Sequence, residues 1–207
     1  MSAAKADHAM AQFYLAGCYR VGYGVDQDHA KAIELYRSLA ERGMPQAQVA
    51  LGQYFENGEG VNQSFTTAIE WYSKSANQGN DDARDRMAQF WIGMCYYWGA
   101  GVSQDHKKAF EWYSKSANQG SSFGQWMVGH CYYFGTGATQ DQSKALEWYR
   151  KSTEQGNRYG QYYCGHCFQN GWGVPKDIDT AILWFRKSAD QGYKFAIDRL
   201  KELDQWP

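Results

Sequence analysis

Proline is almost missing from this chain: 3 residues in 207. Nowhere does an apolar run reach the roughly 18 residues of a membrane-spanning helix, so membrane insertion is not expected. The start, "MSAAKADHAM", has no apolar signal-peptide core. Charge of one sign is missing too: 21 Lys and Arg stand against 22 Asp and Glu, a formal net charge of −1. Such a balance gives no electrostatic reason to expect nucleic acid or an acidic lipid surface as partner. No G-x-S-x-G, P-loop or H-E-x-x-H signature occurs, which removes the sequence signals of the commonest hydrolase, nucleotide and zinc-protease sites. "DQD" at Asp26–Asp28 has oxygen ligands but not the spaced Gly and Glu of a calcium loop, and reads as a helix start. No cofactor is expected. The 5 cysteines are an odd number and cannot all pair within one chain. With no export signal, reduced thiols in a cytoplasmic setting are the expectation.

Glycine and aromatic residues are abundant instead: 22 Gly, 9 Trp, 16 Tyr and 10 Phe. Glycine without proline suggests regularly placed helix ends rather than a disordered linker. The placement is periodic. "RVGYGV" at 20–25 returns as "ENGEGV" at 56–61, "YWGAGV" at 97–102, "YFGTGA" at 133–138 and "QNGWGV" at 169–174. First glycines of these pairs are Gly22, Gly58, Gly99, Gly135 and Gly171, at intervals of 36, 41, 36 and 36. After each pair follows a second block, from "AIELYRSLAERG" to "AILWFRKSADQG". Five copies of one unit account for most of the chain.

Each unit reads as two helices. In "AQVALGQYFENG", Ala47, Leu51 and Phe55 share a helical stripe, and Gly52 allows a neighbouring helix close. Gly-x-Gly ends this first helix. The second opens at an N-cap four residues before its alanine (Asp28, Ser64, Asp105, Asp141, Asp177) and closes at Gly43, Gly79, Gly120, Gly156 and Gly192. Eleven or so helices in antiparallel pairs are expected. Glu70/Lys74, Glu111/Lys115 and Glu147/Lys151 have the spacing of ion pairs on a solvated second-helix face.

The pattern L-G-x-x-Y-x-x-G-x-G-V followed by D-x-x-K-A-x-x-W-Y-x-K-A-A-x-x-G resembles the Sel1-like repeat, a relative of the tetratricopeptide repeat. The resemblance runs from about residue 9 to 192, with Ala16 and Ala138 departing from the consensus glycine and valine. It implies an all-α fold, a right-handed α-solenoid of stacked antiparallel helix pairs. The repeats fall at 9–43, 44–79, 80–120, 121–156 and 157–192, with a capping half-repeat at 193–207. Five extra residues in the third should lengthen its first helix backwards, with Asp81 or Asp82 near the start. The resemblance also implies a scaffold or adaptor without catalysis.

Repeat register bears on the one motif that suggests chemistry. Cys164-Gly165-His166-Cys167 matches the tetrapeptide of thiol–disulfide active sites. It aligns, however, with "LGQY" at 51–54, "IGMC" at 92–95 and "VGHC" at 128–131. That places both thiols in the middle of a helix, whereas a redox pair needs its first thiol at a helix N-terminus. Packing is therefore expected, not redox chemistry. Zinc on Cys131, Cys164, Cys167 and a histidine is disfavoured, because stacked helices lie about 10 Å apart and zinc gathers its ligands within about 2.3 Å. No metal is expected.

In tetratricopeptide relatives the first helices line a concave groove. Transferred by register, its positions are Phe90, Met94, Tyr97 and Trp98 in repeat three and Trp126, His130, Tyr133 and Phe134 in repeat four. Repeat five supplies Tyr162, His166, Gln169 and Asn170, and one turn earlier stand Met87, Phe123 and Tyr159. Repeat two has Val49, Gln53, Glu56 and Asn57 there. Because the second helices already supply core rings (Trp71, Tyr72, Trp112, Tyr113, Trp148, Tyr149, Trp184, Phe185), the added aromatics point to a binding groove. The expected partner is a protein or peptide segment with apolar or aromatic anchors and few charges, with Arg84 and Arg86 available to an acidic flank. The alternative is a carbohydrate-binding protein or enzyme that stacks sugar rings on the same face. Enzymes need a nucleophile or carboxylate pair, and none falls on this face.

Overall fold

The computed structural model describes residues 3–78 and 83–205, and every regular element among them is a helix. They form two compact units, 1–104 and 105–207. The first holds α1 (Ala3–Val21), α2 (His29–Glu41), α3 (Pro45–Asn57), α4 (Phe65–Ala76) and α5 (Ala83–Trp98). The second holds α6 (His106–Asn118), α7 (Ser122–Phe134), α8 (Gln142–Glu154), α9 (Arg158–Asn170), α10 (Ile178–Ala189) and α11 (Lys194–Glu202). Within each unit consecutive helices pack on one another.

Local chemistry sets the helix boundaries. Asp28, Ser64, Asp105, Asp141 and Asp177 are the N-caps of α2, α4, α6, α8 and α10, each accepting from the backbone N–H three residues on. That hydrogen bond satisfies one of the otherwise orphaned first-turn donors. The Gly-x-Gly pair does two different jobs. Gly135 ends α7 at φ 71° and donates to the Cys131 carbonyl, a left-handed cap that suits glycine. Gly173 needs glycine for a second reason: a Cβ there would lie 2.6 Å from the Gln142 carbonyl, at the start of the preceding repeat's second helix. Gly79 as a closing glycine, and Asp81 or Asp82 as the start of α5, lie outside the described residues. Ala83 begins α5 three residues before Arg86, the register equivalent of Pro45; the extension is helical from there.

Packing inside each hairpin turns on one glycine. A Cβ on Gly129 or Gly165 would stand 2.7 Å from the ring of Tyr149 or Phe185, and on Gly52 it would collide with Tyr72. The missing side chain is the seat for the second helix's ring, and Tyr72, Tyr113, Tyr149 and Phe185 are fully buried. Their tryptophan neighbours are not. Trp71, Trp112, Trp148 and Trp184 are half-buried, with Lys74, Lys115, Lys151 and Lys187 over their rings at 3.9, 4.1, 4.1 and 4.5 Å. This corrects the expected Glu–Lys pairing. A lysine three residues on reaches the apolar ring with its stem and the ring face with its ammonium, and among the described residues no ion pair joins Glu70, Glu111 or Glu147 to these lysines.

A second repeated contact had a sequence signal that went unread. Gln78 Nε2 donates to Gln48 Oε1 at 2.8 Å and to the Gly43 carbonyl at 3.0 Å. Gln191 does the same with Gln161 and the Gly156 carbonyl, and Gln155 with Gln125. Gln48 Nε2 also donates to the Ala40 carbonyl at 3.0 Å. Each clasp joins a buried amide (Gln48, Gln125 or Gln161) to an exposed one (Gln78, Gln155 or Gln191), and carbonyls at the end of the preceding second helix, such as those of Ala40 and Gly43, are satisfied by these amides.

Candidate functional site

In the second unit the first helices α7 and α9, with the start of α11, present one sheet of rings. Trp126 stacks on Tyr159 with centroids 4.5 Å apart and planes at 22°. Tyr159 meets Phe123 at 6.1 Å and Tyr193 edge-on at 5.1 Å. Tyr193 in turn meets Tyr162 at 5.2 Å and Phe195 at 5.5 Å. A second strip runs His130–Phe134 (4.5 Å), Phe134–Tyr133 (4.6 Å) and Tyr133–Trp172 (5.1 Å). Edge-to-face and offset contacts of this kind hold rings in place beyond their area burial.

Burial divides the predicted residues into two classes. Phe123 is 46%, Phe134 52% and Phe195 62% exposed. Trp126, Tyr133 and Tyr162 are half-buried and pack against the buried core clusters beneath. The face is thus the upper layer of the core, with phenylalanines at its rim. Gln169 is half-buried and Asn170 exposed. In the first unit, α5 carries Met87 and Trp98 exposed, Met94 and Tyr97 half-buried, and Trp98 against Tyr97 at 5.0 Å. Phe90 departs from the expectation of an open groove. At 8% exposure it is core, like Val49 at the same register in α3, with its ring edge-on to Trp91 at 5.4 Å. Of the two arginines offered to an acidic flank, the Arg84 side chain lies outside the described residues and Arg86 is half-buried.

Sequence reasoning missed Tyr193 and Phe195. The signal was present: Phe123, Tyr159 and Phe195 repeat at 36 residues (159−123 and 195−159), so the final half-repeat continues the row. It also ends it, since Asp198 and Glu202 occupy the registers of Trp126 and His130.

Both histidines are held neutral. Burial pushes His130 down to about 4, and burial together with the Arg199 charge does the same for His166. The Asn170 amide donates to the His166 carbonyl at 2.9 Å and approaches Nδ1 at 3.4 Å. Nδ1 therefore accepts and Nε2–H donates to the Tyr162 hydroxyl, 3.0 Å away, an assignment made from these partners. Three thiols are shielded for a related reason. Cys131, Cys164 and Cys167 are fully buried, and burial pushes each up to about 12. Little thiolate forms near neutral pH, so Cys164 and Cys167 are packing residues in mid-α9. Among the described residues no three His, Cys, Asp or Glu side chains gather as metal ligands do. Nor is any described helix long and apolar enough to cross a membrane.

A family model described as the Sel1 repeat matches residues 9–44, 45–80, 86–121, 122–157 and 158–193. The chain belongs to the Sel1 repeat family. The unmatched residues 81–85 between the second and third Sel1 matches number the same five as the insertion read from glycine spacing. Among solved structures, a Sel1 repeat protein from Oxalobacter formigenes is 28% identical with a TM-score of 0.85, over 97% of this chain and 78% of that one. A protective antigen of uropathogenic Escherichia coli strains, displaying an SLR fold, is 30% identical with a TM-score of 0.67; the match covers 95% of this chain and 49% of that one. A putative Sel1 repeat protein from Klebsiella pneumoniae shares the fold at 19% identity and TM-score 0.60, over 97% of this chain and 95% of that one. Comparison with curated proteins gives no match. Sel1 repeat proteins generally act as protein–protein interaction scaffolds.

Proposed function

We propose that the ring-bearing face of α7, α9 and α11 binds an apolar or aromatic segment of another protein, and that this chain is a non-enzymatic adaptor. The observation that supports the reading most is the row Phe123–Tyr159–Phe195, rings at repeat register, with Phe134 at the other end of α7. Phe123, Phe134 and Phe195 are around half exposed and α7 carries no charged side chain, while the Arg158 guanidinium lies 5.0 Å over the Tyr159 ring on α9. An exposed apolar surface of this kind costs solubility unless something covers it. Rings already fixed by their neighbours lose little conformational freedom when a partner docks, which suits them as anchors. The trio Met87, Tyr97 and Trp98 on α5 is proposed to contact the same class of segment. On the α7–α9–α11 face sugar stacking is less favoured, because one face of the Trp126 ring is taken by Tyr159.

The test compares binding of native lysate proteins to the wild type and to Phe123→Ala/Phe134→Ala. A partner retained by the first, lost by the second and unaffected by Leu183→Ala, an exposed residue on α10, supports the face. Equal retention by all three refutes it.

A further inference from the structure

The ring row of the second unit has an edge charged with one sign. Phe123, Tyr159 and Phe195 each stand second in their helix, after Ser122, Arg158 and Lys194. A cation is out of place there. The free N–H groups of a first turn carry partial positive charge, so acidic residues are the ones that gain stability in it. Yet the first turns of α7, α9 and α11 hold no acidic residue, in a chain that has 22. First-turn lysines elsewhere come with a counter-charge. Lys31, Lys108 and Lys144, in α2, α6 and α8, pair with the N-cap aspartates Asp28, Asp105 and Asp141 at 3.2, 3.7 and 3.3 Å. The N-caps before Arg158 and Lys194 are Asn157 and Tyr193, both uncharged, and among the described residues no ion pair reaches either cation.

Arg158 is also held where a bound segment would meet it. Its guanidinium lies 5.0 Å over the Tyr159 ring and 6.0 Å over the Tyr193 ring, and Nη2 donates to the Tyr159 hydroxyl at 3.0 Å. These contacts fix the group without exhausting it, because the planar fork keeps further N–H donors. Arg158 is half-buried and Lys194 exposed. A cation partly withdrawn from water binds a carboxylate more strongly than one in open solvent, and the fork matches carboxylate geometry. The acids of α11 come later: Asp198 a turn on, and Glu202, already paired with Arg199 at 2.7 Å. At the opposite ends of α7 and α9 stand Phe134 and Asn170, without charge, so the positive edge lies on one side of the rings.

Resting on the ring-face reading above, we infer that the bound segment carries a carboxylate on one side of its apolar anchors, received by Arg158 and, at the rim, by Lys194. The carboxylate is an Asp or Glu side chain or the segment's own C-terminus. The test selects a random-peptide phage library on the full chain and, in parallel, on Phe123→Ala/Phe134→Ala. Peptides retained only by the wild type are resynthesised in three forms: unchanged, with Asp and Glu replaced by Asn and Gln, and with the C-terminus amidated. Neutralising the carboxylate should weaken binding to the wild type about ten-fold, and the form that loses affinity tells side chain from C-terminus. Arg158→Gln should bind the unchanged peptide about ten-fold more weakly and the neutralised one as the wild type does. Lys194→Gln should cost less and flatten the salt dependence, as for a rim charge. Ring-dependent peptides that bind equally well without their carboxylates overturn the inference and leave the ring face standing. Equal weakening of both peptide forms by Arg158→Gln also overturns it, since Arg158 then only holds Tyr159. Retention of no ring-dependent peptide refutes the ring face itself, and the inference falls with it.

Discussion

Repeats two and four close the same hairpin in opposite ways. In the first unit Tyr72, seated on Gly52, donates its hydroxyl to Glu56 at 2.6 Å. Burial raises the Glu56 carboxyl, and the Tyr72 hydrogen bond partly offsets that. In the second unit the equivalent positions hold Tyr149 and Tyr133. There the Tyr149 hydroxyl is buried without a partner among the described residues, its ring stacks on Tyr163 at 5.2 Å and 18°, and Tyr133 leans on Trp172. An unsatisfied buried hydroxyl costs about 1–3 kcal/mol. One backbone thus accepts a satisfied polar pair or a ring cluster with a polar loose end.

The largest expected effect tests what the two repeats share. Gly52→Ala and Gly129→Ala each push a methyl into a tyrosine ring, and each should cost about 3 kcal/mol in urea unfolding; a mild effect in either would mean the ring can shift and the seat is not common to both. Next, Phe123→Ala or Phe134→Ala should weaken partner binding by about 2 kcal/mol in calorimetry with little change in melting, as for exposed anchors. A large melting change would return these rings to the core. The comparison itself is tested by removing the hydroxyls. Tyr72→Phe strands Glu56 and should cost about 1–2 kcal/mol, while Tyr149→Phe removes an orphan and should be neutral or slightly stabilising. Equal losses would mean Tyr149 is satisfied in solution. The smallest effect is on pH. His130 and His166 titrate near 4 in the folded chain against about 6.5 unfolded. Only the unfolded state gains their protons in that window, so stability should fall as pH drops from about 6.5 to about 4 and stay level above it. His130→Gln/His166→Gln should flatten the fall in melting temperature.

Sequence alone revealed the helices because their ends are local. Asp141 caps α8 through a backbone N–H three residues away, and Gly135 ends α7 through a carbonyl four residues back; no distant residue is needed to read either. The mid-helix placement of Cys164 and Cys167 was legible for a similar reason, since it follows from repeat register. The candidate site was legible only in outline. Register located Phe123, Trp126, Phe134 and Tyr162 on the first helices, but burial at a given register depends on everything packed over it. Phe90 is buried where Trp126 and Tyr162, at the same register, are half-buried. The Gln48–Gln78 clasp, 30 residues apart in sequence, and the lysines lying over Trp71 and Trp112 escaped because a pattern of polar letters does not say which partner each will choose.

The sequence by itself determined the repeat, its period, its caps and the glycine seats, since each rests on bonds or contacts within one hairpin. Only the tertiary structure decided which rings of a shared register stay open, because exposure is set by the side chains packed over each ring, and register does not name them: Phe123 and Phe195 stay open where Tyr159, at the same register, is half-buried.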